Sequence, residues 1–192
     1  MMERKPLPIG IEDFKEVIDS GYYFVDKTLM IKEFLDRGTD VTLITRPRRF
    51  GKTINMSMMA EFFDITKYSK EIFKGTKIME TPYAAEINQY PTIFITLREI
   101  EGRDFKEAFD IFKEKIINLC NSFSFLEYSD KLKTSDKELF NRLHHGAATD
   151  MEFIKSLSTL IRLLYSHYNK LVILLIDEYD VPLAKATNND YY

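Results

Sequence analysis

Apolar residues recur at helical spacing in the first third of the chain, and turn residues separate the runs. Asp13 precedes a short predicted helix that ends at Ser20-Gly21, because Asp is a favoured N-cap and Gly a favoured helix terminator. A second helical stripe stops at Gly38, and a third helix is predicted from about Lys52 to Asp64. The apolar stripe of the third helix consists of Ile54, Met58, Met59 and Phe62.

The second half of the chain predicts two more helices, each opened by a capping pattern. Asp104 and Thr149 are followed three positions later by Glu107 and Glu152, which is the spacing of a capping box. Both helices then carry apolar stripes at i, i+3, i+4 spacing. The stripe of the later helix consists of Ile154, Leu157, Ile161, Leu164 and Tyr168.

Short apolar runs between the helices predict strands. Residues 22–25 are a brief β-prone run, and Val41–Thr45 and Thr92–Leu97 are strand candidates rich in β-branched residues. The run Leu171–Ile176 has no polar alternation, which predicts a strand buried on both faces, as in parallel sheets covered by helices. Strands separated by long helical segments indicate an α/β fold.

Composition narrows the class of protein. The 192 residues make about one domain, and 27 Lys and Arg against 30 Asp and Glu leave a net charge of −3, too close to neutral for a surface-wide grip on nucleic acid. A single cysteine excludes an internal disulfide, and no Cys/His cluster has the spacing of a structural zinc site. Without a signal peptide or a membrane-length apolar run, a cytoplasmic protein with no membrane partner is expected.

The segment Arg46–Thr53 joins a predicted strand to a predicted helix and has the composition of a phosphate-binding loop. Such a loop needs backbone N–H groups at a helix N-terminus, a lysine for the β- and γ-phosphates and a hydroxyl for Mg²⁺. Gly51, Lys52 and Thr53 supply the flexible position, the charge and the hydroxyl in the required order. The tripeptide occurs by chance in roughly one chain in ten of this length, so an exposed basic turn is the competing interpretation.

The first part of this loop departs from the usual pattern. Arg46 replaces the usual first glycine, and Pro47 has no N–H, so the cradle would be built from Arg48, Arg49 and Phe50 onward. The two arginines are assigned to the nucleotide site. They could instead act on the nucleotide of a neighbouring subunit or remain solvated.

Asp177 and Glu178 follow the last predicted strand, in the layout of a Walker B motif. A buried strand that delivers an acid at its carboxyl end would let Asp177 hold Mg²⁺ opposite the hydroxyl of Thr53. Glu178 would orient the attacking water as general base. The competing interpretation is a core strand that leaves the sheet into an acidic, solvated loop. The order of the two motifs, each at the end of a predicted strand, favours a nucleotide site.

Four motifs in order carry a family resemblance over nearly the whole chain. They are Leu7-Pro8-Ile9-Gly10 with Phe14, Tyr23-Phe24-Val25-Asp26-Lys27-Thr28, the loop Arg46–Thr53, and Ile176-Asp177-Glu178-Tyr179-Asp180. The stretch from Leu7 to Leu183 resembles the AAA-ATPase-like family of bacterial and archaeal P-loop proteins, in which arginine in place of the first glycine is typical. The resemblance implies a P-loop NTPase core with a catalytic glutamate after the Walker B aspartate. In longer members it also implies a C-terminal PD-(D/E)XK nuclease-like domain.

The expected fold is α/β, a mostly parallel P-loop NTPase-type sheet flanked by helices. In such folds the strand after Walker B lies between the two motif strands, but the chain stops 12 residues after Asp180, so this strand is expected to be missing. We therefore expect residues 1–192 to be the N-terminal portion of one domain. Its parts are a helical lead-in (1–40), a strand, phosphate loop and helix (41–64), a strand and helical layer (90–170) and the Walker B strand (171–180).

The predicted function is Mg²⁺-dependent ATP binding, with ATP hydrolysis in the complete protein. Glu178 and Lys52 would be catalytic, and Thr53 and Asp177 would hold the metal. The alternative is a catalytically silent nucleotide-binding switch or interaction module that serves a C-terminal nuclease-like or other effector domain. Nucleic-acid binding is suggested only by the nuclease-like domain of longer relatives, because no aromatic and basic platform is evident here. The oligomeric state stays open.

Several other conspicuous residues are expected to be structural. Cys120 lies inside an apolar helix, which predicts a buried thiol and not a nucleophile. His144-His145 is placed at a loop or helix end, because adjacent residues of a helix do not face the same way. Ile9, Phe14 and Tyr23 could line a pocket for the adenine base, but core packing explains them equally well.

Overall fold

The computed structural model describes residues 5–45 and 50–188, which pack as two compact units that divide between Phe94 and Ile95. The helices are α1 (Phe14–Asp19), α2 (Leu29–Arg37), α3 (Lys52–Phe63), α4 (Phe105–Asn121), α5 (Thr134–His144), α6 (Asp150–Ile154), α7 (Ser156–Tyr168) and α8 (Val181–Asn188). The strands are β1 (Thr92–Thr96) and β2 (Ile173–Asp177), and short 3-10 helices span Lys77–Glu80, Pro82–Glu86 and Ser124–Tyr128.

Helix α3 is the centre of the first unit, and its last seven residues are all buried. Its aromatic end joins a cluster around Phe73, whose ring centroid lies 5.0 Å from Phe14 and 5.3 Å from Phe62. Two buried polar residues of α3 anchor neighbouring segments. Ser57 Oγ accepts a hydrogen bond from the backbone N–H of Phe14 at 2.9 Å, and the Glu61 carboxylate pairs with Lys67. The helix is therefore packed on more than the single stripe that the sequence predicts.

The segment that ends at Thr28 fastens α2 to the 3-10 helix Lys77–Glu80. Asp26 Oδ1 accepts hydrogen bonds from the N–H and the hydroxyl of Thr28 at 2.9 and 2.7 Å, and Oδ2 accepts one from the N–H of Lys77 at 2.8 Å. Burial of the carboxyl opposes its ionisation, but these hydrogen bonds outweigh burial and hold the pKa of Asp26 below its ordinary value. The β-prone residues 22–25 form no strand in this described part of the chain.

The predicted strand at Val41–Thr45 is wrong. These residues have no regular secondary structure, and the side chains of Val41 and Leu43 are 85% and 62% exposed. Among the described residues, the backbone of this segment pairs with no other segment. A run of β-branched residues becomes a strand only where a neighbouring strand offers N–H and C=O groups, so propensity alone does not suffice here.

Strands β1 and β2 form a parallel two-stranded sheet, and the chain passes from the first unit to the second within β1. The mixed helix and strand content agrees with the predicted α/β class. Burial of the last strand on both faces is wrong. Leu175 and Asp177 are buried, but the other three residues of β2 are partly exposed, and Leu171 lies outside the strand and is 73% exposed. Within the described residues, β2 has one strand neighbour instead of two.

The helical layer of the second unit confirms the predicted caps but changes the last helix. Asp104 accepts a hydrogen bond from the N–H of Glu107 at the start of α4, and Thr149 and Glu152 form a complete capping box at the start of α6. The single helix predicted after Thr149 is two helices, because Lys155 ends α6 and precedes α7. The break changes the buried stripe. Ile154 of the predicted stripe is 60% exposed, and the fully buried leucines of α7 are Leu160, Leu163 and Leu164.

After β2 the chain turns and forms α8, an element that the sequence does not predict. This helix ends at Asn188. Asn188 is the first residue of Asn188-Asn189-Asp190, whose composition makes a poor strand candidate. Among the described residues, the helices lack the combination of length and apolar composition that crossing a membrane requires.

Candidate functional site

The predicted phosphate loop leads into α3 through a glycine that no other residue replaces easily. Gly51 is the N-cap of α3 and has φ +73°, in the left-handed region that glycine tolerates and other residues avoid. A Cβ atom at this position would also lie 3.3 Å from Cγ2 of Ile54. Within residues 5–45 and 50–188, no side-chain hydrogen bond caps this helix, and N–H groups at a helix start are the kind of donor that anionic ligands bind.

The structure describes the predicted phosphate loop only from Phe50 onward. Lys52 and Thr53, the first two residues of α3, are partly exposed, and Phe50 is 57% exposed. Arg48 and Arg49, which the sequence assigns to the same site, lie outside the described residues. Their part in nucleotide binding therefore stays a prediction.

Asp177, the last residue of β2, combines deep burial with an unpaired carboxylate oxygen. Its exposed fraction is 4%, and its backbone carbonyl accepts the N–H of Leu97 at 2.9 Å. Within the described residues, Oδ2 of this carboxylate has no hydrogen-bond partner. An unpaired carboxylate oxygen in the interior is costly, so such an atom points to a cation or a donor that completes it.

Glu178 has a strained backbone directly after this aspartate. Its φ of +54° is in the left-handed region, which costs a residue with a Cβ atom about 1–2 kcal/mol. The strain accompanies a tight turn, because the N–H of Val181 donates to the carbonyl of Glu178 at 3.2 Å just where α8 begins. The turn fixes the direction in which this carboxylate leaves the strand.

Arg98 is a site residue that the sequence analysis missed. Its Nη2 lies 3.9 Å from Oε1 of Glu178, whose side chain is 19% exposed. Both residues follow the carboxyl ends of neighbouring parallel strands, which is where α/β sheets bind their ligands. The signal was available, because Arg98 directly follows the predicted strand Thr92–Leu97 and so lies at this same edge.

The predicted site residues fall into two groups that belong to different units. Gly51, Lys52 and Thr53 lie at the start of α3 in the first unit, and Asp177 and Glu178 lie at the end of β2 in the second. The catalytic, phosphate-binding and metal-binding roles of these residues stay predictions. Cooperation between Thr53 and Asp177 around one ion stays a prediction.

The carboxylate of Asp177 fits a magnesium ion, because its orphaned Oδ2 atom is a hard oxygen ligand of the kind that Mg²⁺ prefers in proteins. The hydroxyl of Thr53, in the first unit, is also a hard oxygen ligand, and its part in such a site stays a prediction. When bound, the ion would neutralise phosphate charge. The chain itself supplies a buried carboxylate whose unpaired oxygen such a cation would stabilise.

Two other groups of conspicuous residues are structural. Cys120 is fully buried, and burial raises the pKa of its thiol to about 12, so the reactive thiolate is absent at neutral pH. Phe14 is fully buried against Phe24 and Phe73, and so belongs to the core. Ile9 and Tyr23 are not core residues, because their side chains are 87% and 52% exposed.

Comparison with known proteins adds family membership to this geometry. The model of the family described as Predicted AAA-ATPase matches residues 8–192. The chain is also similar to an uncharacterized protein in the vnfD 5' region of Azotobacter chroococcum mcd 1, with 29% identity over 183 residues. That match covers 95% of this chain and 30% of the relative, so the chain spans less than a third of the relative's length. No solved structure matches the chain significantly. The chain belongs to the predicted AAA-ATPase family.

Proposed function

We propose that the chain binds ATP together with Mg²⁺, and that the longer protein hydrolyses it. The observation that carries the proposal is the buried carboxylate of Asp177, whose Oδ2 has no partner among the described residues. A structural aspartate would find a hydrogen-bond donor in the folded chain. A ligand-binding aspartate keeps an oxygen available, and a metal ion held by a nucleotide is the partner that the family suggests.

The phosphates would be held at the start of α3. Lys52 contributes a positive charge, and the open N-terminus of the helix contributes backbone N–H groups and the positive end of the helix dipole. Thr53 adds a hydroxyl for the magnesium ion. Gly51 lets the chain turn into the helix while the backbone remains close enough to a phosphate for these N–H groups to donate.

Hydrolysis would depend on Glu178. The turn after β2 holds this carboxylate at the edge of the sheet, where it would accept a proton from the attacking water. Arg98 would restrain the carboxylate through its guanidinium group, 3.9 Å away. The reaction proposed for the longer protein is attack of water on the γ-phosphate, with transfer of charge to groups that are already in place.

The test is calorimetric titration of the chain with ATP in the presence of Mg²⁺, beside Lys52→Ala. Loss of charge-assisted hydrogen bonds worth about 1.5–3 kcal/mol each should weaken binding by about 10–100-fold. Lys70→Ala is the matched control, because Lys70 lies in the same unit and is exposed. Absence of binding by the folded chain, or equal affinity of Lys52→Ala and the unmodified chain, would overturn the proposal.

The second candidate is a nucleotide-binding switch without turnover. The contact between Arg98 and Glu178 favours it, because a carboxylate oxygen held by a guanidinium group is less free to orient a water molecule. Steady-state phosphate release separates the two functions. Turnover that is lost in Glu178→Gln indicates an ATPase. ATP binding without turnover in the unmodified chain, together with the appearance of turnover in Arg98→Ala, indicates a restrained switch.

A further inference from the structure

Three metal-ligating side chains meet in the second unit, on residues that the proposed nucleotide site does not use. Glu127 lies on the 3-10 helix Ser124–Tyr128, and His144 and His145 lie at the end of α5. Each offers one ligand atom, and the three atoms lie within 4.8 Å of one another. The predicted helix end is confirmed, because His145 is the C-cap of α5, with φ −97° and ψ 10°, and there the two rings stack with centroids 4.7 Å apart.

The ring of His144 is held between two hydrogen-bond acceptors. Its Nε2 lies 2.8 Å from Oδ1 of Asn121, and its Nδ1 lies 2.5 Å from Oε1 of Glu127. In the tautomer that donates Nε2–H to Asn121, Nδ1 carries a lone pair on the side of the carboxylate, where it can serve as a metal ligand.

We propose that this cluster binds a zinc ion through Oε1 of Glu127, Nδ1 of His144 and Nε2 of His145. Two imidazoles and a carboxylate are a recurrent set of three protein ligands for zinc, with water in the fourth position. The distance of 3.5 Å between His145 Nε2 and Glu127 Oε1 is close to the about 3.3 Å that separates two ligands of a tetrahedral zinc ion. The shorter contact of His144 with Glu127 would open toward the same value on zinc binding.

The surroundings of the cluster suit a cation. Asn121 accepts the second N–H of His144, which is the outer contact that orients a ligating histidine in metal sites. The histidines end α5, where the helix dipole is negative and stabilises positive charge. The side chains of Glu127 and His144 are 14% and 13% exposed, whereas His145 is 67% exposed and leaves one side open for water. The ion would brace α5 against the 3-10 helix.

The experiment is titration of the tag-free chain with zinc chloride at pH 7.5, by calorimetry and by thermal unfolding. The chain has three histidines, so His167→Gln is a matched control for binding to a histidine outside the cluster. The unmodified chain and His167→Gln should bind one ion, with a rise in Tm of about 5–10 °C at 100 times Kd. His145→Gln changes an exposed side chain and should retain the fold, but should bind at least about 10-fold more weakly.

Two further measurements test the coordination itself. Asn121→Ala should weaken zinc binding about 10-fold, because it removes only the outer hydrogen bond to His144. Cobalt(II) in place of zinc should give visible absorption typical of nitrogen and oxygen ligands, without a thiolate band from Cys120. The proposal is overturned by absence of stoichiometric zinc binding, by equal affinity of the unmodified chain and His145→Gln, or by a thiolate band.

Discussion

The starts of α6 and α3 treat their backbone N–H groups in opposite ways. At α6, the side chain of Thr149 accepts a hydrogen bond from the backbone N–H of Glu152. The Glu152 carboxylate in turn accepts one from the backbone N–H of Thr149 at 2.8 Å. At α3, the N-cap is Gly51, which has no side chain to offer and a left-handed backbone. The start of α6 is capped by its own side chains, whereas the start of α3 has no side-chain cap within the part of the chain that the structure describes.

The difference separates a structural device from a candidate binding device. A capped helix gains stability from the folded chain alone, typically about 1 kcal/mol per cap. A helix start without a side-chain cap forgoes that gain, and the left-handed backbone at Gly51 makes the position intolerant of residues with a Cβ atom. The same contrast recurs among carboxylates, because Glu152 is fully paired whereas Asp177 Oδ2 has no partner in the part of the chain that the structure describes.

The largest effect is expected at the open helix. Gly51→Ala forces a Cβ atom into a left-handed backbone 3.3 Å from Ile54, so it should lower the free energy of unfolding by about 1–2 kcal/mol. It should also weaken ATP binding, since the backbone at the start of α3 must move. Urea unfolding and calorimetry measure the two effects. Unchanged stability and unchanged affinity would remove the contrast between the two helices.

A smaller effect is expected at the capped helix. Thr149→Ala removes the side-chain oxygen that accepts the N–H of Glu152 and should lower the free energy of unfolding by about 1 kcal/mol. Because this cap is structural, the affinity for ATP should remain within twofold of that of the unmodified chain. Thr149→Ser is the control, since serine restores the oxygen. A loss of ATP affinity in Thr149→Ala would contradict the division of roles.

The carboxylates should respond with opposite signs. Asp177→Asn removes a buried charge that lacks a complete set of partners, so it should raise the free energy of unfolding in the absence of nucleotide, by about 0.5–1 kcal/mol. The same variant should lose the Mg²⁺-dependent part of ATP binding. Destabilisation by this substitution would show that the aspartate is a structural residue of the folded chain.

The smallest effect is a pH dependence at the capped helix. Hydrogen bonds from Arg142 and from Thr149 lower the pKa of Glu152 from 4.5 to about 2. The lowered pKa means that Glu152 stabilises the fold above pH 4.5, and that this contribution fades as the pH falls from 4.5 toward 2. Glu152→Gln should therefore flatten the stability profile in this window, measured by urea unfolding at several pH values. An unchanged slope would exclude Glu152 as its source.

The sequence predicts local elements of this protein better than their pairing. The N-caps at Asp13, Asp104 and Thr149 and the helix end at Gly38 are confirmed, because each depends on residues close to it in the chain. The strand at Val41–Thr45 is wrong, because strand formation depends on a neighbour that no local pattern reveals. The sequence does not predict the interruption at Lys155, because apolar residues continue at helical spacing across it, although α7 buries a different set of them.

The candidate site divides in the same way. The order Gly51-Lys52-Thr53 and the pair Asp177-Glu178 could be found from residue chemistry. The pair lies at the end of a strand as predicted, whereas the tripeptide begins a helix as predicted but does not follow the predicted strand at Val41–Thr45. Arg98 was missed because its contact with Glu178 joins positions 80 residues apart in sequence. The two histidines were placed at a loop or helix end, which is confirmed, but their approach to Glu127 depends on how α5 packs and could not be predicted from their own segment.

The burial of α3 has a consequence for how this protein can be explored by mutation. In a library of random variants, substitutions at Asn55, Ser57 and Glu61 should be depleted as strongly as those at Lys52, because the first three are buried polar residues of the core. Depletion would thus mark the whole helix and would not single out the residues that touch a ligand. Only a selection that scores abundance and nucleotide retention separately would distinguish a helix that must pack from a helix that must bind.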